Sequence, residues 1–175
     1  MKQMGTGRSY TIKELASYSF LLEHFYIVDE TTSMTKQDLN GTKLVTMDLS
    51  AKLGKEEPLV LIYHTHGSET YKKVNGKEGS VIEVGTALTK ELENVYGIKT
   101  VHDKSVYDMV DGQLDRNAAY NFAGDSVEAA LRKNPSVKVV IDLHRDSVEN
   151  NIHLRTKING KSAAQIMFFN GVSRL

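Results

Sequence analysis

The chain of 175 residues contains no cysteine, which excludes disulfides, thiolate metal sites and a cysteine nucleophile. It carries no excess charge either, since 22 Lys and Arg balance 22 Asp and Glu. Without a surplus of basic side chains, counterion release cannot drive nucleic-acid binding, and bulk attraction to an anionic membrane is missing too. The longest apolar run, Leu59 to Tyr63, falls far short of the roughly 18 residues that a membrane-spanning helix needs. Met1 to Tyr10 hold no apolar stretch of the signal-peptide kind, so no membrane segment is expected in this chain. Prolines are scarce: only Pro58 and Pro135 occur, and no repeat, linker or low-complexity tract breaks the sequence. Length points to one domain over 1–175, and a 40% hydrophobic share is enough for a packed core.

Periodicity then assigns elements. Thr11 and Glu14 stand at capping-box spacing, and Leu15, Tyr18, Leu22 and Phe25 follow at helical intervals, predicting one helix over 12–25. Asn40-Gly41 reads as a turn joining two short strands. Leu59 to Tyr63 has the continuous apolar character of a strand covered on both faces. Val81, Val84, Leu88, Leu92 and Val95 form one helical stripe with Gly97 as its cap. Ile98–Val101 is a second strand, Asp115–Lys133 a helix ending at Asn134-Pro135, and Val137–Leu143 a third strand. Ile152–Ile158, Asn159-Gly160 and Ala164–Phe169 read as a hairpin. This alternation predicts an α/β fold, a mostly parallel sheet flanked by helices.

Two of these strands run into histidine. The first leads to His64-Thr65-His66-Gly67-Ser68-Glu69, the other to Asp142-Leu143-His144-Arg145-Asp146. In open α/β sheets, ligands bind beyond the carboxyl ends of the strands, where both segments lie. His66 and Glu69 are close enough in a tight turn to share an ion, and His144 completes the set from a neighbouring strand. Two imidazoles and one carboxylate are a catalytic zinc set, because three protein ligands leave a fourth position to water. His64 takes a supporting role behind the ligands, with direct ligation as its alternative, while Arg145 and Asp146 orient a ligand or hold substrate. His24, His102 and His153 read as solvated or hydrogen-bonded side chains. His-x-x-Glu is common in unrelated chains and His144 also reads as an ordinary sheet-edge histidine, so spacing alone leaves both readings open. The same donors accept other first-row ions as well.

Leu-Val-Leu-Ile-Tyr-His-Thr-His-Gly-Ser-Glu-Thr-Tyr over 59–71 and Val-Val-Ile-Asp-Leu-His-Arg-Asp over 139–146 together resemble the stage II sporulation protein P family. The likeness extends from about Ser9 to Leu175 and includes Ala164 to Gly171. It implies an amidase-like fold with bound Zn2+, the ligand positions falling on His66, Glu69 and His144. The implied activity is that of an N-acetylmuramoyl-L-alanine amidase on peptidoglycan, with some members also acting as endopeptidases. The implied setting is extracytoplasmic, at the sporulation septum or engulfing membrane, alongside the lytic transglycosylase stage II sporulation protein D. Such proteins carry an N-terminal membrane anchor and continue past the position of Leu175 into further helices and a last strand. That strand bears a glutamate resembling the general acid/base, so by resemblance the catalytic base is expected beyond Leu175 and none is identified in this chain. General acid–base help supplies about 10²–10⁴-fold in rate, so weak turnover and an uncovered sheet edge are the matching expectations. Two other readings remain: a non-catalytic module binding peptidoglycan or a partner, and a zinc endopeptidase acting on stem peptides.

Overall fold

A computed structural model describes residues 8–51, 56–71, 79–146, 149, 152 and 154–169. His153, loop residues 72–78 and Asn170-Gly171 lie outside the described residues. The chain divides into two compact units, Met1–Ser50 with Arg155–Leu175, and Ala51–Leu154.

The first unit opens with α1 (Ile12–Leu15) and α2 (Tyr18–His24), where a single helix is expected. The capping box at Thr11 forms as predicted: Thr11 N–H donates to Glu14 Oε2 at 2.7 Å and Glu14 N–H to Thr11 Oγ1 at 3.2 Å. The helix breaks because Ser17 is extended and its hydroxyl accepts from Phe20 N–H, starting a second helix rather than continuing the first. Asn40-Gly41 does not join strands. Asn40 caps α3 (Gly41–Thr46), its Oδ1 accepting from Lys43 N–H at 2.9 Å. A Cβ on Gly41 would lie 2.7 Å from Leu15 O and 2.8 Å from Ala16 C, so a backbone crossing, not a turn, explains this glycine.

The second unit holds the sheet. Its elements are β1 (Val60–Tyr63), α4 (Val81–Tyr96), β2 (Thr100–His102), the short antiparallel pair β3 (Met109–Val110) and β4 (Gln113–Leu114), α5 (Arg116–Lys133) and β5 (Val139–Asp142). The main sheet is wholly parallel with order β2-β1-β5, pairing Ile62 with both His102 and Ile141. The central strand is the one with the continuous apolar run, and Val60, Leu61 and Ile62 are buried. Each such side chain contributes about 1.5–3 kcal/mol on burial. Val139 and Val140 on the edge strand β5 stay about half exposed. α4 begins at a Ser80–Glu83 capping box and ends at Gly97, whose φ of 69° suits its cap role. Asp115 caps α5, accepting from Asn117 and Ala118 N–H. The parallel α/β layer thus forms as the alternation of elements predicts.

The hairpin, part of the first unit, pairs β6 (Arg155–Ile158) with β7 (Lys161–Ala164). Asn159 and Gly160 both take positive φ, 51° and 77°, as a two-residue hairpin turn requires. The second strand starts earlier than its apolar stretch suggests: Ile166, Met167, Phe168 and Phe169 follow it and are largely exposed.

Candidate functional site

The carboxyl ends of β1 and β5 meet because Asp142 binds across them. Thr65 N–H donates to Asp142 Oδ1 at 2.9 Å and Thr65 Oγ1 to Oδ2 at 2.6 Å. The same Oδ2 lies 2.8 Å from His144 Nε2. One carboxylate therefore fixes the exit of β1 and the ring of His144, turning that ring's Nδ1 toward Glu69 Oε2, 4.0 Å away. Burial pushes the Asp142 carboxyl up, but hydrogen bonds from His144 and Thr65 outweigh it and leave the group below its ordinary range. The Asp142 hydrogen bond in turn raises the His144 imidazole.

The turn after β1 brings His66 and Glu69 to the same place. Glu69 N–H donates to His66 O at 3.1 Å, and Ser68 donates through N–H at 3.1 Å and Oγ at 2.6 Å to the buried carboxylate of Asp108. The rings of His66 and His144 meet edge to face with centroids 5.1 Å apart. Glu69 is 5% exposed, and both of its oxygens are engaged: Arg116 Nη1 donates to Oε1 at 3.1 Å, and the Arg145 backbone N–H to Oε2 at 2.9 Å. His66 Nδ1 is buried, 3.9 Å from Asp108 Oδ2, with no hydrogen-bond partner among the described residues. Burial, then the neighbouring charges of His144 and Arg116, hold the His66 imidazole below its ordinary range.

All three predicted ligand residues thus fall in one cluster. As a test of fit for zinc, the donor types match, and one buried imidazole nitrogen lacks a partner. Ligands of a tetrahedral zinc stand about 3.4 Å apart, taking bond lengths near 2.0–2.2 Å. Among the described residues, however, no group of three or more His, Asp or Glu side chains is arranged to hold a metal ion. Glu69 is held by Arg116 and the Arg145 N–H, with its Oε2 4.0 Å from His144 Nδ1.

The supporting residues divide differently from expectation. Among the described residues His64 hydrogen-bonds with neither Glu69 nor His144; its Nδ1 lies 2.9 Å from Leu143 O and its Nε2 2.9 Å from His102 Nε2. A carbonyl only accepts, so Nδ1 of His64 carries the proton, its Nε2 accepts, and His102 Nε2 donates. Burial lowers both imidazoles, in keeping with this neutral pair. A Cβ on Gly85 would come within 2.6 Å of His102 Nε2 and 2.8 Å of His64 Nε2, so α4 leaves room for the pair only with glycine there. Arg145 acts through its backbone, while its Nη1 donates to Asp146 O at 3.2 Å. Asp146 is exposed, and its carboxylate enters none of these contacts. His24 stacks on Phe20.

Sequence spacing missed Asp108, Arg116 and Tyr120. Tyr120 sits edge-on to His66 with centroids 5.3 Å apart. The i, i+4 placement of Arg116 and Tyr120 at the start of α5 puts them on one helix face, but nothing local says what that face meets. Asp142 carried a usable signal, since residues two apart where an extended strand ends share one face.

Comparison with known proteins decides the family. The model of Stage II sporulation protein P matches residues 9–174. The chain belongs to the stage II sporulation protein P family. Stage II sporulation protein P of Bacillus subtilis (strain 168) is 28% identical over 127 residues, which cover 66% of this chain and 31% of that protein. The chain therefore spans about a third of the length of this curated family member. No solved structure matches it. Among the described residues, no helix is long and apolar enough to cross a membrane.

Proposed function

We propose that the chain is a zinc-dependent peptidoglycan hydrolase of spore engulfment, cutting the N-acetylmuramoyl-L-alanine amide between muramic acid and its stem peptide. The observation that carries this reading is the meeting of His66, Glu69 and His144 at the ends of the adjacent parallel strands β1 and β5. Those three residues would hold the ion. When bound, zinc supplies a Lewis acid that polarises an amide carbonyl and acidifies water. His144 Nε2–H donates to Asp142, which leaves the Nδ1 lone pair to face the ion. Arg116 and the Arg145 N–H orient the Glu69 carboxylate, and Asp108 holds the turn that carries His66 and Glu69 together. The polymer partner is peptidoglycan, and the protein partner implied by resemblance is stage II sporulation protein D. The proposed setting is extracytoplasmic, at the septum or engulfing membrane.

A second reading, a non-catalytic peptidoglycan-binding module, is favoured by the engagement of Glu69 with Arg116. Purified sacculi incubated with the chain and zinc separate the readings. Release of intact stem peptides, abolished by a chelator, is expected; cleavage within the peptide would indicate a zinc endopeptidase. Chelator-insensitive sacculus binding without product would indicate the binding module. Metal analysis of His66→Ala and His144→Ala is expected to show zinc lost from both, and unchanged content in both would overturn the site. Asp142→Ala is expected to weaken zinc binding by about 10–100-fold, the usual cost of losing a ligand's carboxylate partner.

A further inference from the structure

The start of α5 brings two side chains to the cluster, Arg116 and Tyr120. Arg116 is tethered at one point: Nη1 donates to Glu69 Oε1 at 3.1 Å, its one hydrogen bond among the described residues. Its side chain is 47% exposed, whereas that of Glu69 is 4% exposed. A guanidinium carries five N–H donors in a rigid fork matched to carboxylate geometry, so most of its donors remain at the rim of the cluster. One turn along, Tyr120 packs edge-on to His66 while staying 59% exposed. A tethered, half-exposed guanidinium beside an exposed aromatic ring is pre-ordered for an incoming group, since the tether has already cost it most of its rotamer freedom.

We infer that Arg116 and Tyr120 form a subsite that reads a carboxylate on the peptide part of the substrate, beside His66, Glu69 and His144. The inference rests on the peptidoglycan amidase reading, which puts a peptide against this rim. The free N–H groups of Arg116 take the carboxylate, and the Tyr120 ring packs against the apolar atoms of the same peptide. Arg116 and Glu69 cancel in charge, so in the metal-free chain recognition rests on hydrogen-bond geometry. A divalent cation held by Glu69 would make the surroundings net positive and strengthen carboxylate binding further.

The test is an NMR titration of the whole chain with N-acetyl-L-alanyl-D-glutamate and with the same dipeptide bearing a carboxamide in place of the α-carboxylate, with and without zinc. The wild type is expected to bind the acid at least about tenfold more tightly than the amide, the order of one charge-assisted pair, and zinc is expected to widen the ratio. Arg116→Lys keeps part of the preference, and Arg116→Gln loses it. Tyr120→Ala weakens both ligands and leaves the ratio intact. Equal or undetectable binding of both ligands by the wild type, or a preference surviving in Arg116→Gln, overturns the subsite. Should Arg116→Gln fail to fold, an unchanged ratio in Arg116→Lys overturns it instead. Sacculus digestion run in parallel keeps the two readings apart: peptide release without acid preference retains the amidase and removes the subsite. An acid preference lost in Arg116→Gln, with zinc content unchanged in both His66→Ala and His144→Ala, retains a carboxylate site and removes the amidase.

Discussion

The two compact units bury apolar side chains to different extents. In 51–154 the parallel sheet pools Val60, Leu61, Ile62, Val81, Ala119 and Ala123 into a buried core. In the unit of 1–50 with 155–175, the buried apolar side chains among the described residues are Leu21 and Leu39, while Ile27, Leu49, Ile166, Phe168 and Phe169 are exposed. Central strand β1 has a paired neighbour along each edge, so four residues suffice to build a core layer. Helices of four, seven and six residues have too few turns to shield one apolar face. Polar burial follows the same division: His64, Thr65, His66, Glu69 and Asp108 are all buried in the sheet unit. A low-dielectric setting for charged chemistry exists only where a core has already excluded water.

The contrast is sharpest for large-to-small changes. Ile62→Ala, at a fully buried position, is expected to cost about 2–5 kcal/mol in urea unfolding. Phe168→Ala, at an 89% exposed position, is expected to stay within about 0.5 kcal/mol; comparable losses would break the contrast. Next in size is Gly85→Ala. In an open helix interior this change gains up to about 1 kcal/mol, but the approach of His102 and His64 at 2.6 and 2.8 Å reverses the sign to a loss of about 1–3 kcal/mol. Removing caps from the two units compares them directly. Ser80→Ala and Asn40→Ala each delete one side-chain acceptor and are each expected to cost about 1 kcal/mol, because capping is local and independent of the core.

The smallest expected effect is a slope with pH. His64 and His102 are lowered by burial, so the unfolded chain takes up their protons first and stability falls as pH drops below about 6.5. His144, raised by Asp142, has the opposite sign: its contribution is full below about 6.5 and is lost as pH rises through its raised value. His102→Gln keeps an N–H donor for His64 and removes one titrating ring. It is expected to flatten the acid side of a stability–pH curve measured by thermal melts, and an unchanged slope would remove the buried pair as its cause.

Much of this was legible from residues alone, and the reasons are local. The capping box at Thr11, the cap at Gly97 and the Asn159-Gly160 turn each complete themselves within a few residues. Local competition also explains the misreadings. Ser17 offers a hydroxyl to Phe20 N–H and ends the first helix, and Asn40 does the same for Lys43 N–H where a turn was expected. The nearness of His66 to Glu69 follows from their spacing, but the closing of Arg116 onto Glu69 spans 47 positions and leaves no local trace.

By itself, then, the sequence determined the alternation of strands and helices, the family, and the two histidine-bearing strand ends that carry the likeness. Those properties depend on period, composition and short-range hydrogen bonds. Only the tertiary structure decided that Asp142 clamps Thr65 and His144 together, that His64 turns to His102, and that Glu69 is held by Arg116. Such contacts arise when the sheet register and the packing of α4 and α5 bring distant groups within hydrogen-bond range, and a linear order of residues does not encode that distance.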